Sequence, residues 1–235
     1  MKKILISLLI ISSFVVSAQS LLPNKYGFKV GVNISDFKST PNDGVDNINT
    51  KSLYGLSGGF YMEIPLNDKW YLNSSLLYSQ KGSSFDYKYI HDYNINNREE
   101  RSSSNDLKIT YLELNPIISY KTTYKLALNI GPSLGYLISN EFNIINDVGE
   151  DDGELFHELL PDAEFQEEVI DLGIEVGMSY YLTDNFLINA NINTGLIKLG
   201  QVSKVTYTGT VDNDLRSNIY ELKNRVLSFS LSYLF

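Results

Sequence analysis

The chain has 235 residues, 19 basic against 28 acidic, a formal charge of −9, and no cysteine. The charge balance argues against a nucleic-acid binder, which presents a basic patch. The missing cysteine excludes disulfide stapling and a lipid anchor on a cysteine, and the length suits one domain.

From the N-terminus, Lys2 and Lys3 precede an apolar run, Ile4 to Val16, broken only by serines and followed by Ser17-Ala18. This predicts a secretory signal peptide over 1–18, because the run falls short of the ~20 residues a membrane helix needs. The expected mature unit is 19–235. It has no later stretch long and apolar enough for a membrane helix, so any insertion must use strands.

Eight segments then alternate with period two. Phe28, Val30, Val32 and Ile34 oppose Lys29, Gly31, Asn33 and Ser35. Leu56, Gly58, Phe60, Met62 and Ile64 oppose Ser57, Gly59, Tyr61 and Glu63. Trp70, Leu72, Leu76 and Tyr78 oppose Asn73, Ser75, Ser79 and Lys81, and Leu112, Leu114, Pro116 and Ile118 oppose Tyr111, Glu113, Asn115 and Ser119. The fifth segment runs from Leu126 to Tyr136, the sixth from Ile170 to Ser179 and the seventh from Phe186 to Asn193. The eighth is the terminal Leu227–Phe235, with Phe229, Leu231, Tyr233 and Phe235 on its apolar face.

The second face is rich in Gly, Ser, Asn and Ala, as a narrow barrel interior requires. The centre of the apolar face carries no Lys, Arg, Asp or Glu, so it suits lipid rather than water. The expected fold is therefore all-β: an eight-stranded antiparallel transmembrane barrel after a cleaved signal peptide. Short turns at 65–69, 121–123 and 183–185 alternate with long connections at about 38–53, 83–106, 139–168 and 198–215. That asymmetry predicts periplasmic termini and extracellular loops. Tyr26, Trp70, Tyr71, Tyr120, Tyr124, Tyr180, Phe186, Tyr233 and Phe235 are expected to ring the periplasmic interface, and Tyr54, Tyr78 and Tyr136 the outer one.

Gly27-Phe28-Lys29-Val30-Gly31-Val32-Asn33-Ile34-Ser35 resembles the opening strand of the PorT-like outer-membrane β-barrel family of Bacteroidota. So do Tyr61–Leu66, Leu76–Gly82, Tyr111–Pro116, Asn129–Tyr136, Asp171–Gly173 and Asn224–Phe235, in the same order. The resemblance implies an eight-stranded barrel and no particular chemistry. It departs at Ser75, where the family often has glutamate, and at Asn191, where it often has arginine, so an interior ion pair of the family is expected to be missing.

Candidate sites follow from the alternation. Lys29, Glu63, Lys81, Glu113, Asp171 and Glu175 are expected to face the lumen. Such a cluster can line a solute path or form a structural plug of paired charges; the plug is preferred, since buried ions need partners and narrow barrels are filled. Lys29 with Glu63 is the expected pair. Residues 139–168 carry carboxylates from Glu141 to Glu168 and no Lys or Arg. They lack the ligand order of an EF-hand, so a solvated loop is preferred over a divalent-cation site. His91 and His157 lie on long connections, with Ser83, Ser84 and Ser102 to Ser104 in the loop of His91, but no carboxylate spacing completes a triad. Gly58-Gly59 precedes no helix and is no phosphate loop.

The expectation is a monomeric, non-catalytic outer-membrane protein without cofactor or bound metal. Its partners are outer-membrane lipid, the barrel-assembly machinery through the C-terminal strand, and an envelope protein not named by the sequence. A narrow channel is the first alternative and a lipid-modifying barrel enzyme the second.

Overall fold

The computed structural model describes residues 25–41, 49–94, 97–146, 165–207 and 215–235. The expected signal peptide, His157 and most of the acidic connection lie outside them.

Ten strands form one antiparallel sheet: β1 Lys25–Pro41, β2 Asn49–Pro65, β3 Trp70–Asn94, β4 Asn97–Lys121, β5 Leu126–Asn146, β6 Phe165–Glu167, β7 Ile170–Tyr181, β8 Phe186–Gly195, β9 Gly200–Tyr207 and β10 Leu215–Leu234. The order β1-β2-β3-β4-β5-β7-β8-β10 closes through pairing of β1 with β10, from Gly27 opposite Leu234 to Pro41 opposite Tyr220. Eight strands therefore circle the axis, and closure removes the exposed edges. β9 and β6 continue the sheet beyond β8 and β7 at one end. There β9 pairs with the first half of β10, and β6 pairs with β9.

Alternation decides which way each side chain points. On β1, Phe28, Val30 and Val32 are exposed, whereas Lys29, Asn33 and Ser35 are buried. On β10, Leu227, Phe229, Leu231 and Tyr233 are exposed, as is Phe235 just after it, and Ser230, Ser232 and Leu234 are buried. The same rule runs around the barrel and leaves an apolar outer band. Ile64 departs from it: it has outward parity but is only 9% exposed, lying opposite Leu72 beside the short turn at Pro65.

Three short turns link β2 to β3, β4 to β5 and β7 to β8 at one end of the barrel. Each is closed by backbone bonds such as Leu66 N to Trp70 O at 2.8 Å and Leu182 N to Phe186 O at 2.9 Å. The opposite end corrects the expectation of long loops. Within the described residues, 38–41, 49–53, 83–94, 97–106, 139–146, 165–167 and 200–207 are strand. The β3–β4 ladder continues to Asn94 opposite Asn97, so each of these two strands is 25 residues long, far beyond the ~9–11 a bilayer crossing takes. His91 sits within this hairpin, opposite Glu99 in the backbone register.

The barrel is not uniformly laddered. β2 slips against β3 between Ser52 and Ser57. At that slip β1 reaches past it. Gly82 N donates to Ser35 Oγ at 2.6 Å, and Asn33 Nδ2 donates to the Gln80 carbonyl at 2.9 Å. Backbone groups that lose a strand partner are thus satisfied by side chains.

Candidate functional site: the barrel lumen

The inward faces build three stacked layers. At the short-turn end, Tyr61, Ala127, Tyr181, Leu187 and Leu234 pack together as a buried apolar layer. At the long-hairpin end, Phe37, Leu107, Ile109, Tyr111, Leu199 and Leu222 form a second one, with Leu137 against it. Between them lies a polar section.

All six lumen charges expected from the sequence point inward and are buried: Lys29, Glu63, Lys81, Glu113, Asp171 and Glu175 are each 8% exposed or less. They divide into three groups. In the first, Lys81 Nζ lies 3.1 Å from Glu113 Oε1 and 3.5 Å from Asp171 Oδ2. Its ammonium also sits 5.3 Å from the centre of the Tyr111 ring. The carboxylates have further donors: Ser133 Oγ donates to Glu113 at 2.6 Å and Asn224 Nδ2 to Asp171 Oδ2 at 2.5 Å. Burial strengthens such interactions and makes them hard to lose, because a lone buried ion is costly.

The second group closes the short-turn end. Glu63 accepts a hydrogen bond from the Tyr181 hydroxyl at 2.5 Å and pairs with Lys121 at 3.7 Å. Lys121 itself lies between two rings, 3.7 Å from the centre of Tyr71 and 4.5 Å from that of Tyr181. A cation over ring faces is held by their quadrupoles. Tyr71 therefore leaves the girdle expected at the periplasmic interface: it lies at the short-turn end but on the inner wall. Lys121, which reads in sequence as part of a turn, has the inward parity of Ser119 two residues earlier, and that parity was the available signal.

The third group is Lys29 and Glu175. The expected Lys29–Glu63 pair does not form. The register sets Lys29 opposite Gly59 and Glu63 opposite Lys25, so the two are four residues apart along the strand direction. Lys29 Nζ instead stands 5.9 Å from the centre of the Tyr61 ring. It borders a cavity of about 20 Å³ together with Glu175, Asn115, Asn191 and Asn193. That volume holds roughly one water. The amide oxygens of these three asparagines have no protein partner, so such a water has acceptors to bridge. A β-carbon at Gly177 would meet Asn191 Oδ1 and the backbone carbonyl of Ala190, and the backbone contact fixes glycine at that close approach.

Below the cavity a belt of alternating amides and hydroxyls crosses six strands. Asn73 donates to Ser119 and Ser119 to Asn129, Asn129 donates to Ser179 and Ser179 to Asn189, each at 2.7 Å. Asn189 then donates to Ser230 at 3.3 Å and Ser232 at 3.1 Å. Small polar residues were legible as lumen filling, but their linkage into a belt was not. Ser75 and Asn191, the two departures noted in sequence, are both buried on the inner wall.

Outside, at the short-turn end, aromatic rings meet in two groups. Trp70 meets Tyr120 at 4.8 Å, Phe186 meets Tyr233 at 4.8 Å and Tyr233 meets Phe235 at 5.1 Å between ring centres. Tyr54, Tyr78 and Tyr136 are exposed toward the other end. Among the described residues no group of three or more His, Cys, Asp or Glu is placed to hold a metal ion. Of the acidic segment, Glu168 pairs with Lys198 at 3.9 Å.

A family model described as "Outer membrane protein beta-barrel domain" matches residues 18–201. Similar solved structures include OprG of Pseudomonas aeruginosa, 12% identical with a TM-score of 0.49, covering 92% of this chain and 97% of that one. Neisserial surface protein A is 18% identical with a TM-score of 0.45, covering 90% and 99%. The attachment invasion locus protein Ail of Yersinia pestis is 13% identical with a TM-score of 0.40, covering 91% and 100%. No curated protein matches the chain.

Proposed function

Because this chain belongs to the outer membrane protein beta-barrel domain family, we propose that it is a closed, non-catalytic envelope barrel that meets its partners through its long hairpins or its short-turn rim. In this reading the short-turn end, with both mature termini, faces the periplasm and the hairpins face outside. The order of its strand motifs supports a place among the PorT-like barrels within that family.

The observation that carries the reading is the stacking of the lumen: two buried apolar layers bracket a polar section whose cavity is about 20 Å³. An ion crossing it must shed water at both layers and displace paired charges, which is costly in a low-dielectric interior. Seven hydroxyl and amide side chains of the polar section, Asn73, Ser119, Asn129, Ser179, Asn189, Ser230 and Ser232, bond to one another in the belt, and the space left beside Asn115, Asn191 and Asn193 is the small cavity. The rival is a narrow channel, and planar-bilayer recording of the purified barrel separates the two. No stepwise conductance is expected. Reproducible unitary steps that disappear without protein would replace the closed barrel with the channel.

A further inference from the structure

Along the β1–β10 seam, the register rows in step with the apolar outer face change character toward the long-hairpin end. Ile34 opposes Leu227 in the last apolar row; Asp36, itself buried, opposes Arg225, Lys38 opposes Lys223, and the next row sets position 40 opposite Glu221. Lys38 and Arg225 are exposed and Lys223 half-buried. Like charges directly opposite on neighbouring strands repel. Elsewhere at this end the usual rule holds: on the β4–β5 seam Lys108 faces Glu141.

Among the described residues, the neighbouring groups do not neutralise the lysine row. Asp36 is taken by Arg225 and by the Ser83 hydroxyl at 3.1 Å. Lys223 Nζ donates to the Leu196 carbonyl at 3.2 Å. Neither Lys38 nor Glu221, one row further from the apolar band, makes an ion pair among the described residues. In a chain of charge −9 this is a local concentration of cations at one height.

That height is informative. Two residues of strand advance ~7 Å, and a strand tilted ~40° raises them by ~5 Å. The Arg225 row thus stands ~5 Å and the lysine row ~10 Å above the last apolar row, while the headgroup layer is ~5–8 Å thick on each side of the hydrocarbon. Flexible lysine stems reach back toward the apolar edge. We propose that Lys38 and Lys223 bind the phosphate of a phosphorylated lipid headgroup in the adjoining leaflet, which bridges the two opposed lysines.

The full barrel is released from mixed micelles into a native mass spectrometer after incubation with diphosphorylated lipid A, the same lipid stripped of its phosphates, or phosphatidylethanolamine. The wild type is expected to retain the diphosphorylated lipid. K38Q/K223Q is expected to lose retention about tenfold or more, with K38R/K223R restoring it and K108Q leaving it unchanged. Unaltered heat-modifiable migration of K38Q/K223Q establishes that it is folded. Equal retention by K38Q/K223Q, or equal retention of the dephosphorylated lipid, overturns the site. Displacement of the lipid by millimolar inorganic phosphate overturns it too, by making it a site for the free anion.

Discussion

Lys81 and Lys29 are both buried cations on the same inner wall, yet removing them should have unlike consequences. Lys81 compensates Glu113 and Asp171 at 3.1 and 3.5 Å. Lys81→Met strands two buried carboxylates near one another and is expected to cost ~3–5 kcal/mol. Lys29 has a ring at 5.9 Å and a cavity, and no ion pair among the described residues. Lys29→Met is expected to cost less, ~1–3 kcal/mol, since the methionine keeps the stem's packing but leaves buried Glu175 without the cation that shares its cavity. Urea unfolding in lipid vesicles, followed by the single tryptophan, Trp70, measures both. The inward direction of both lysines was legible, because parity alone sets it. Their partners were not. Pairing depends on how far one strand is staggered against the next, and a barrel's stagger is a property of its closure rather than of any one segment. The stagger sends Glu63 to Lys121 on β4, two strands away, instead of to Lys29 next door.

Strands raise the same question at the seam where β1 meets β10. A β-carbon at Gly27 would overlap the backbone carbonyl of Tyr233, and no side-chain rotation relieves a backbone contact. Gly27→Val is therefore expected to hinder closure itself. Heat-modifiable gel migration should show a smaller compact fraction than for Gly58→Val, where a β-carbon meets nothing nearer than 3.8 Å. Equal compact fractions would show that the seam can widen. Strand extents divide into a legible and an illegible part for a physical reason. Within the bilayer, lipid on one side and a cramped lumen on the other impose strict alternation, so 28–35 and 227–235 announce themselves. Beyond it water bathes the outer face, the apolar half of the pattern fades, and the β3–β4 hairpin reads as loop although its ladder runs on to Asn94 and Asn97. The short outer strands β6 and β9 are missed for the same reason.

Taken whole, the lumen holds, among the described residues, four carboxylates, Glu63, Glu113, Asp171 and Glu175, against three lysines, Lys29, Lys81 and Lys121. Two apolar layers stand in series along it, and in the proposed reading both close it. Series closure makes a specific prediction. Thinning the short-turn layer with Tyr61→Ala and Leu187→Ala, or the hairpin layer with Leu107→Ala and Leu222→Ala, should each leave the barrel electrically silent, because the other layer still excludes water. Each large-to-small change costs ~2–5 kcal/mol, so folding is verified by gel migration before recording. Combining all four substitutions should produce conductance in planar bilayers. The excess carboxylate should make that conductance cation-selective, with a reversal potential displaced accordingly in a salt gradient. Conductance after thinning a single layer would mean that the other is no seal. Anion selectivity in the fourfold variant would mean that the paired charges do not set the field along the axis.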